Sequence, residues 1–261
     1  MFLRKLLTGL VFCFSSAIVQ GAVEALDIPI EMTLVKGGWY TPLYKKNGLQ
    51  QRVSISSFYM DRFHVTNQQF YTFVQDNLKW QKPNVSSLFA DEGYMLGLDI
   101  ATIAEHRDQP VTRVSWYAAM AFCKSVGKTL PTVDQWEYAA MASSESPRGV
   151  DSIAFKRKIL DWYAKPASAV LPSVDLTEAN YWGIYGMHGV VWEHVSDFNS
   201  SLVTGESRGD SALDKQLFCG SGAAQSVDPG DYAAFMRYAM RSSILANYTL
   251  ASLGFRCAKG I

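Results

Sequence analysis

Cysteine thiols are the most reactive side chains in this sequence, and Cys123, Cys219 and Cys257 lie beyond its N-terminal segment. Free thiolates attack electrophiles and bind soft metal ions, whereas paired thiols cross-link the chain. The sequence contains no CxxC motif and no Cys/His cluster with zinc spacing, which argues against a structural zinc site. In an oxidising compartment, one disulfide and one unpaired cysteine is the simplest arrangement. Spacing alone does not decide which two cysteines pair.

A second group of side chains that could take part in catalysis or metal binding comprises His188, Glu193, His194 and Asp197. Histidines and carboxylates transfer protons and bind transition metals. The four residues lack the spacing that brings two histidines onto one face of a helix, so a catalytic iron or zinc site is not expected. If the protein were an enzyme, the first three would be its acid/base candidates.

The elements that must position these residues begin with two predicted strands, 32–40 and 53–63, in which apolar and polar residues alternate. Thr66 and Gln69 have the spacing of a capping box, which predicts the start of a helix. A second helix is expected after Ser115, with Cys123 on its inner face and its end at Gly127.

A third helix is predicted after Thr132, which forms another capping box with Gln135, and it should end near Ser143. The stretch 144–172 has little pattern and is interpreted as a surface connection with one short helix around 154–163. Closely spaced glycines between residues 180 and 198 predict repeated turns. The last segment is expected to end in a strand, and the absence of a linker favours a single domain from residue 25 to 261.

Composition limits the classes of function. The chain has 24 Lys+Arg and 24 Asp+Glu among 261 residues, and 48% of its residues are hydrophobic. It is therefore long and apolar enough to bury a full core. The balanced charge and the lack of a Lys/Arg run argue against a nucleic-acid partner.

The N-terminus is typical of a secretory signal peptide, predicted to comprise residues 1–21. Arg4 and Lys5 precede an apolar run that ends at Val19, and small residues follow at Gly21 and Ala22. The run is short for a membrane span, although a retained signal anchor is the alternative. The mature protein is thus expected to be periplasmic and not membrane-spanning.

Five segments occur in an order that resembles the formylglycine-generating enzyme, or sulfatase-modifying factor, family. They are MTLVKGGWY, SSFYMDRFHVTNQQFYTFV, PVTRVSWYAAMAFCKSVGKTLPTVDQWEYAA, NYWGIYGMHGVVWEH and LGFRCA. The resemblance covers nearly the whole chain beyond the signal peptide. It implies a single-domain, irregular and loop-rich α+β fold that is related to C-type lectins.

The resemblance also implies roles for the cysteines. Cys123 and Cys257 match positions that form a disulfide in vertebrate members, whereas two further cysteines of active members bind copper(I) and activate oxygen. In this chain the corresponding region contains Cys219 and no second cysteine before Cys257. The expectation is therefore a Cys123–Cys257 bridge, no copper and no formylglycine-generating activity.

A structural calcium site is the remaining metal prediction. The family's glycine-rich motif holds calcium with oxygen ligands, and its positions map to the carbonyls of Gly186, Gly189 and Val191 and the carboxylate of Glu193. The alternative is that Glu193 pairs with a basic residue. Three arginines near the C-terminus are interpreted as partners of carboxylates such as Asp61 or of backbone carbonyls: Arg237, Arg241 and Arg256.

The function expected from these observations is binding without catalysis. A narrower resemblance, carried by the segment from 65 to 95, is to a periplasmic branch of the family that acts upstream of a membrane Ser/Thr kinase in the control of type VI secretion. Phe235 and Tyr238 are the candidate contacts to that kinase. The alternatives are a periplasmic oxidoreductase-like enzyme that acts on a secreted metabolite of the siderophore-precursor type, and a lectin-like ligand binder.

Overall fold

A computed structural model describes residues 31–43, 52–165, 168, 170–197 and 232–261. The helices in these ranges are α1 (Asn67–Asp76), α2 (Ile100–His106), α3 (Trp116–Ser125), α4 (Val133–Ala140), α5 (Ile153–Tyr163) and α6 (Tyr232–Ser243). The strands are β1 (Met32–Val35), β2 (Gly38–Tyr40), β3 (Val53–Ile55), β4 (Phe58–Asp61), β5 (Trp192–Glu193), β6 (Leu253–Gly254) and β7 (Ala258–Gly260). Much of the chain between them is irregular, so the fold is a loop-rich α+β domain, as predicted.

Each of the two predicted N-terminal strands is broken into two shorter strands that belong to different sheets. β4 lies between β1 and β7 in an antiparallel three-stranded sheet, whereas β2 and β3 form a separate antiparallel pair. The break occurs at Gly37, where the two chain segments approach closely. A Cβ atom on Gly37 would lie 2.4 Å from the Ile55 carbonyl oxygen, so only glycine fits without a shift of the backbone.

The predicted helix starts are confirmed. The hydroxyls of Thr66 and Thr132 each accept a hydrogen bond from the backbone N–H of the third helical residue, a glutamine, whose side-chain oxygen accepts one from the backbone N–H of the cap. Ser115 caps α3 in the same way through its hydroxyl. α3 ends in a Schellman motif, with Gly127 at a φ of +70°.

The predicted short helix around 154–163 is confirmed as α5, but α2 and α6 were not predicted from the sequence. α6 was missed because its buried face carries arginines. Arg237 and Arg241 lie on that face beside Ala233, Ala234 and Tyr238, so the apolar periodicity that marks an amphipathic helix is interrupted.

Two hydrophobic clusters form the core. One lies among the N-terminal strands, α4 and α6, and the other lies among α1, α3 and the last segment of the chain. In the second cluster, the rings of Phe70, Phe122 and Phe255 contact one another, with centroids 5.5 to 6.1 Å apart. The disulfide between Cys123 and Cys257 lies in this cluster and joins α3 to the C-terminus, so the predicted pairing is confirmed.

No helix in the described ranges has both the length and the apolar character that a membrane crossing requires.

Candidate functional site

The glycine-rich segment brings Glu193 into the centre of the molecule. Gly186 adopts a φ of +62°, and a side chain there would contact His64 and Val190 at 3.0 to 3.1 Å, so glycine is required both by conformation and by space. The turns lead into β5, which pairs in parallel with β6. As a result, the Glu193 side chain is fully buried.

Three donor atoms and one histidine ring nitrogen surround the Glu193 carboxylate. Arg256 donates from Nε and Nη2 to its two oxygens, each at 2.8 Å, and the Trp136 indole donates at 2.9 Å. His64 Nε2 lies 3.0 Å from Oε1. Burial alone would raise the pKa of Glu193, but the charge of Arg256 and the bonds from Arg256 and His64 outweigh it and hold the pKa below its usual range.

This arrangement does not fit the predicted calcium ion at Gly186, Gly189, Val191 and Glu193. The oxygens of Glu193 are occupied by a bidentate guanidinium, which also places a positive charge where the ion would bind. The geometry agrees with the alternative interpretation, in which Glu193 pairs with a basic residue, here Arg256. Within the described residues, no group of three or more His, Cys, Asp or Glu side chains is arranged to hold a metal ion.

A second buried charge cluster lies on the other side of Trp136. Arg237 donates hydrogen bonds to the Glu137 carboxylate from Nε and Nη2, at 3.0 and 2.6 Å. Arg241 donates another from Nη1 at 2.6 Å. Burial would raise the pKa of Glu137, but the two guanidinium charges lower it to about 2. Arg241 also lies over the Trp136 ring, 4.6 Å from its centroid. Glu137 and its arginines therefore fix α6 against α4.

The expectation that the three arginines pair with carboxylates or carbonyls is confirmed, but their partners differ from the predicted one. Asp61 instead binds the ammonium group of Lys128 and the backbone amide of Cys257. Arg256 does not contact the Asp61 carboxylate. Besides Glu193, it donates to the backbone carbonyls of Asp61, Arg62 and Tyr185. Arg256 is completely buried, so it belongs to the core.

The candidate acid/base residues do not converge on one pocket. His194 is buried, and its Nε2 lies 2.9 Å from the Val114 carbonyl oxygen. His188 lines a separate cavity of about 290 Å³. The cavity beside Glu193 has only about 10 Å³, which is about the minimum for one water molecule. The geometry therefore gives no support to joint acid/base chemistry by these residues.

The two predicted partner-binding residues have different environments. Phe235 is half-buried on α6 and stacks with the exposed ring of Tyr232, with centroids 5.9 Å apart. Tyr238 is buried, and its hydroxyl is hydrogen-bonded to Tyr40. The prediction of Tyr238 as a surface contact is therefore corrected, because its ring packs into the core. Cys219 lies outside the described residues.

Sequence reasoning missed Glu137, His64 and Trp136 as members of these clusters. A signal was nevertheless present in the spacing of Arg237 and Arg241. Two arginines four residues apart, flanked by alanines and aromatic residues, lie on one face of a helix. When that face is also the apolar one, a buried acid is needed to neutralise the charges.

Buried histidines predict a loss of stability in mild acid. Burial lowers the pKa of both His188 and His194 to about 4, while the unfolded chain has a histidine pKa of about 6.5. The native state therefore binds fewer protons than the unfolded state, and stability falls as the pH drops from about 6.5 to about 4. At about 1.4 kcal/mol per pKa unit, each histidine accounts for roughly 3 kcal/mol across this window.

Urea unfolding at a series of pH values will test this expectation. His194→Gln keeps a donor for the Val114 carbonyl but cannot titrate, so the variant should lose stability less steeply between pH 6.5 and 4.5. Protonation of Glu137 and Glu193 lowers the stability only below that pH range, because their pKa values in the folded protein are lowered. The half-exposed His106 provides the matched control, His106→Gln. Parallel pH profiles for the wild type and His194→Gln would contradict the assignment.

Comparison with known proteins places this architecture in a family. A model of the sulfatase-modifying factor enzyme 1-like domain matches residues 22–261. The chain is 26% identical to the formylglycine-generating enzyme of Bos taurus over an alignment of 294 residues including gaps. The alignment covers 88% of this chain and 75% of the bovine protein. It is 30% identical to the enzyme of Streptomyces coelicolor over 172 residues, covering 58% and 52% of the two chains.

Two further similarities concern a kinase and a solved structure. The chain is 22% identical to the serine/threonine-protein kinase pkn1 of Chlamydia caviae over 244 residues, which cover 88% of this chain and 38% of the kinase. The crystal structure of CarF superposes with a TM-score of 0.51 at 15% identity, covering 89% of this chain and 99% of CarF, a likeness of fold alone. Because the family model spans nearly the whole chain, this protein belongs to the sulfatase-modifying factor, or formylglycine-generating enzyme, family.

Proposed function

We propose that this chain is a non-catalytic member of the family, located in the periplasm, that binds the outer domain of a membrane Ser/Thr kinase and promotes activation of type VI secretion. The observation that carries the non-catalytic part is the buried Cys123–Cys257 disulfide. It leaves Cys219 as the one remaining cysteine after residue 21. A two-coordinate copper(I) site needs a second soft sulfur ligand, and the chain beyond residue 21 has no further thiol to supply it.

The kinase partner is supported by the similarity to chlamydial pkn1 proteins. The matching region accounts for 38% of each of three such kinases, so a domain of this kind shares a chain with a kinase in those proteins. A separate protein with the same kind of domain can act on a kinase by binding. If it binds the active or dimeric state more tightly than the resting state, it shifts the population by that difference in affinity and needs no chemistry of its own.

The stacked rings of exposed Tyr232 and half-buried Phe235, at the start of α6, form the proposed contact surface. Tyr232 is 55% exposed and stacks on Phe235, and aromatic residues of this kind often dominate the energy of protein interfaces. The ion pairs of Glu137 with Arg237 and Arg241 hold α6, the helix that carries both rings, against α4. The pair is therefore preorganised, which lowers the entropy cost of binding.

Replacement of Phe235 by aspartate is expected to weaken kinase binding by at least about tenfold, which corresponds to about 1.4 kcal/mol. Because Phe235 also packs against the core, Tyr232→Asp serves as a second variant that changes only an exposed ring. Leu88→Asp is the matched control, since Leu88 is 76% exposed and lies elsewhere on the surface. Binding to the purified outer domain of the host's membrane Ser/Thr kinase can be measured by biolayer interferometry.

The kinase itself is identified first, by affinity capture from solubilised envelope membranes of the host and mass spectrometry. Recovery of no membrane Ser/Thr kinase would overturn the partner assignment. Equal binding by Tyr232→Asp, Leu88→Asp and the wild type would show that the contact lies on another surface. Formation of formylglycine on a sulfatase cysteine peptide, in the presence of copper(I) and oxygen, would overturn the non-catalytic assignment.

A further inference from the structure

The three-stranded sheet of β1, β4 and β7 has a solvent-exposed side that carries apolar residues. Leu34 on β1 lies directly opposite Tyr59 on β4, which in turn lies opposite Lys259 on β7, so the three side chains share one side of the sheet. Leu34 and Tyr59 are each 39% exposed. The adjacent residues Phe58 and Met60 point to the other side and are buried in the core.

Two further exposed apolar residues extend this surface. Trp39 lies opposite Ser54 in the adjoining pair β2–β3 and is 56% exposed, and Ile261, which follows β7, is 82% exposed. The inner residues of both sheets pack into the same hydrophobic cluster, so their outer sides both point away from it. Single exposed apolar residues are common, but several on adjoining strands indicate a contact surface. This surface, the outer sheet face, comprises Leu34, Trp39, Tyr59 and Ile261 and the basic residues beside them.

The outer sheet face carries a positive charge. Three of its basic side chains are exposed and form no ion pair with a described residue: Lys36, Arg52 and Lys259. The carboxylates of the same strands are already paired, because Asp61 is buried against Lys128 and Glu31 binds Arg62. The terminal carboxylate of Ile261 offsets one of the three cations. The face is therefore locally positive, although the whole chain has a formal net charge of zero.

This combination of residues is typical of a surface that meets lipid. Trp and Tyr rings are enriched at the boundary between a bilayer and water. Lysine and arginine side chains can lie along apolar surface while their charged ends reach outward, where anionic lipids raise the affinity by about fivefold for each cation. Lysine is depleted in protein–protein interfaces, whereas two of the three unpaired cations here are lysines.

We propose that the outer sheet face binds the surface of an anionic lipid bilayer. Its apolar side chains enter the boundary region of the bilayer, and its three unpaired cations contact the lipid phosphates. The inference extends beyond the proposed kinase interaction and does not depend on it. The outer sheet face also shares no residue with the Tyr232–Phe235 surface, so separate variants test the two proposals.

Flotation of the protein with lipid vesicles tests the inference. The protein without residues 1–21 is used, because the apolar run in that segment would bind lipid by itself. Phosphatidylcholine vesicles with about 30% phosphatidylglycerol should bind the protein at least about tenfold more strongly than pure phosphatidylcholine vesicles. Binding should weaken as the salt concentration is raised to about 0.5 M. No binding to the anionic vesicles, or equal binding to both kinds, would overturn the proposal and leave the outer sheet face to a protein partner.

Charge reversal locates the contact. The double variant Lys36→Glu/Lys259→Glu should weaken binding to the anionic vesicles by at least about twentyfold. Lys82→Glu/Lys165→Glu is the matched control, because it makes the same charge change at exposed positions outside the outer sheet face. If the two double variants lose binding equally, the effect is one of overall charge and the assigned surface is wrong.

Trp39→Ser provides a test that leaves the charge unchanged. Because the ring is more than half exposed, the variant should fold, which circular dichroism can verify. Its binding to the anionic vesicles should be at least about fivefold weaker than that of the wild type. Leu88→Ser is the control, since it removes a side chain that is 76% exposed elsewhere on the surface. Equal binding by Trp39→Ser and the wild type would show that the ring does not enter the bilayer and would contradict the proposal.

Discussion

Replacement of Arg256 by methionine is expected to lower the free energy of unfolding by about 3 to 5 kcal/mol, the usual cost of removing one partner of a buried ion pair. The Arg256 side chain is fully buried, and its donors serve both oxygens of Glu193 and three backbone carbonyls. Methionine fills much of the volume but supplies no donor. The Glu193 carboxylate would then remain as a buried charge without its cation.

Urea unfolding followed by circular dichroism measures this loss. Arg62→Met is the matched control, because Arg62 forms an exposed ion pair with Glu31 that should contribute at most about 1 kcal/mol. Adding Glu193→Gln to the Arg256→Met variant removes the stranded charge and should recover part of the loss. A similar loss for Arg256→Met and Arg62→Met would contradict the view that Arg256 is the internal cation of this site.

Removal of the Cys123–Cys257 disulfide should have an effect of similar size. The bridge joins residues 134 positions apart, and the loop-entropy relation gives about 4 to 5 kcal/mol for closing a loop of this length. Both cysteines are buried, so reductants reach them poorly in the folded protein. The double variant Cys123→Ala/Cys257→Ala is therefore a more direct test than reduction with dithiothreitol.

The expected result is a large drop in the urea midpoint for the double variant, with the transition remaining cooperative. Cys219→Ser is the control, because a cysteine outside the bridge should not affect the midpoint. If the double variant unfolds at the same urea concentration as the wild type, the bridge does not constrain the chain in solution. Intact-mass measurement of the protein without residues 1–21, alkylated without reduction under denaturing conditions, will show one alkylated thiol if the bridge is formed.

Stability bears on the proposed function, because a binding surface on α6 requires that the helix and the C-terminal segment be held in place. The disulfide and Arg256 fix the last residues of the chain to the core, and Glu137 fixes α6. The stacked Tyr232–Phe235 pair lies at the start of that helix. A variant that loses kinase binding must therefore be compared with controls of equal stability before the loss is assigned to the contact itself.

The local elements of this protein and its family can be predicted from the amino-acid sequence. The capping residues Thr66, Ser115 and Thr132 and the stop at Gly127 act within a few positions of themselves, so their effects can be predicted without knowledge of the fold. The order of the five family segments similarly indicated the loop-rich α+β domain and the disulfide that the structure contains.

Which charges are buried together, and which aromatic residues remain exposed, depends on tertiary packing. Glu193 and Arg256 are 63 positions apart, and Glu137 and Arg237 are 100 positions apart, so no local pattern joins them. The sequence admitted Glu193 as a calcium ligand and Tyr238 as a surface contact, but packing placed a guanidinium on the first and buried the second. The reason is physical: a charged group can be buried only with its partner, and the partner is brought into place by the packing of distant elements.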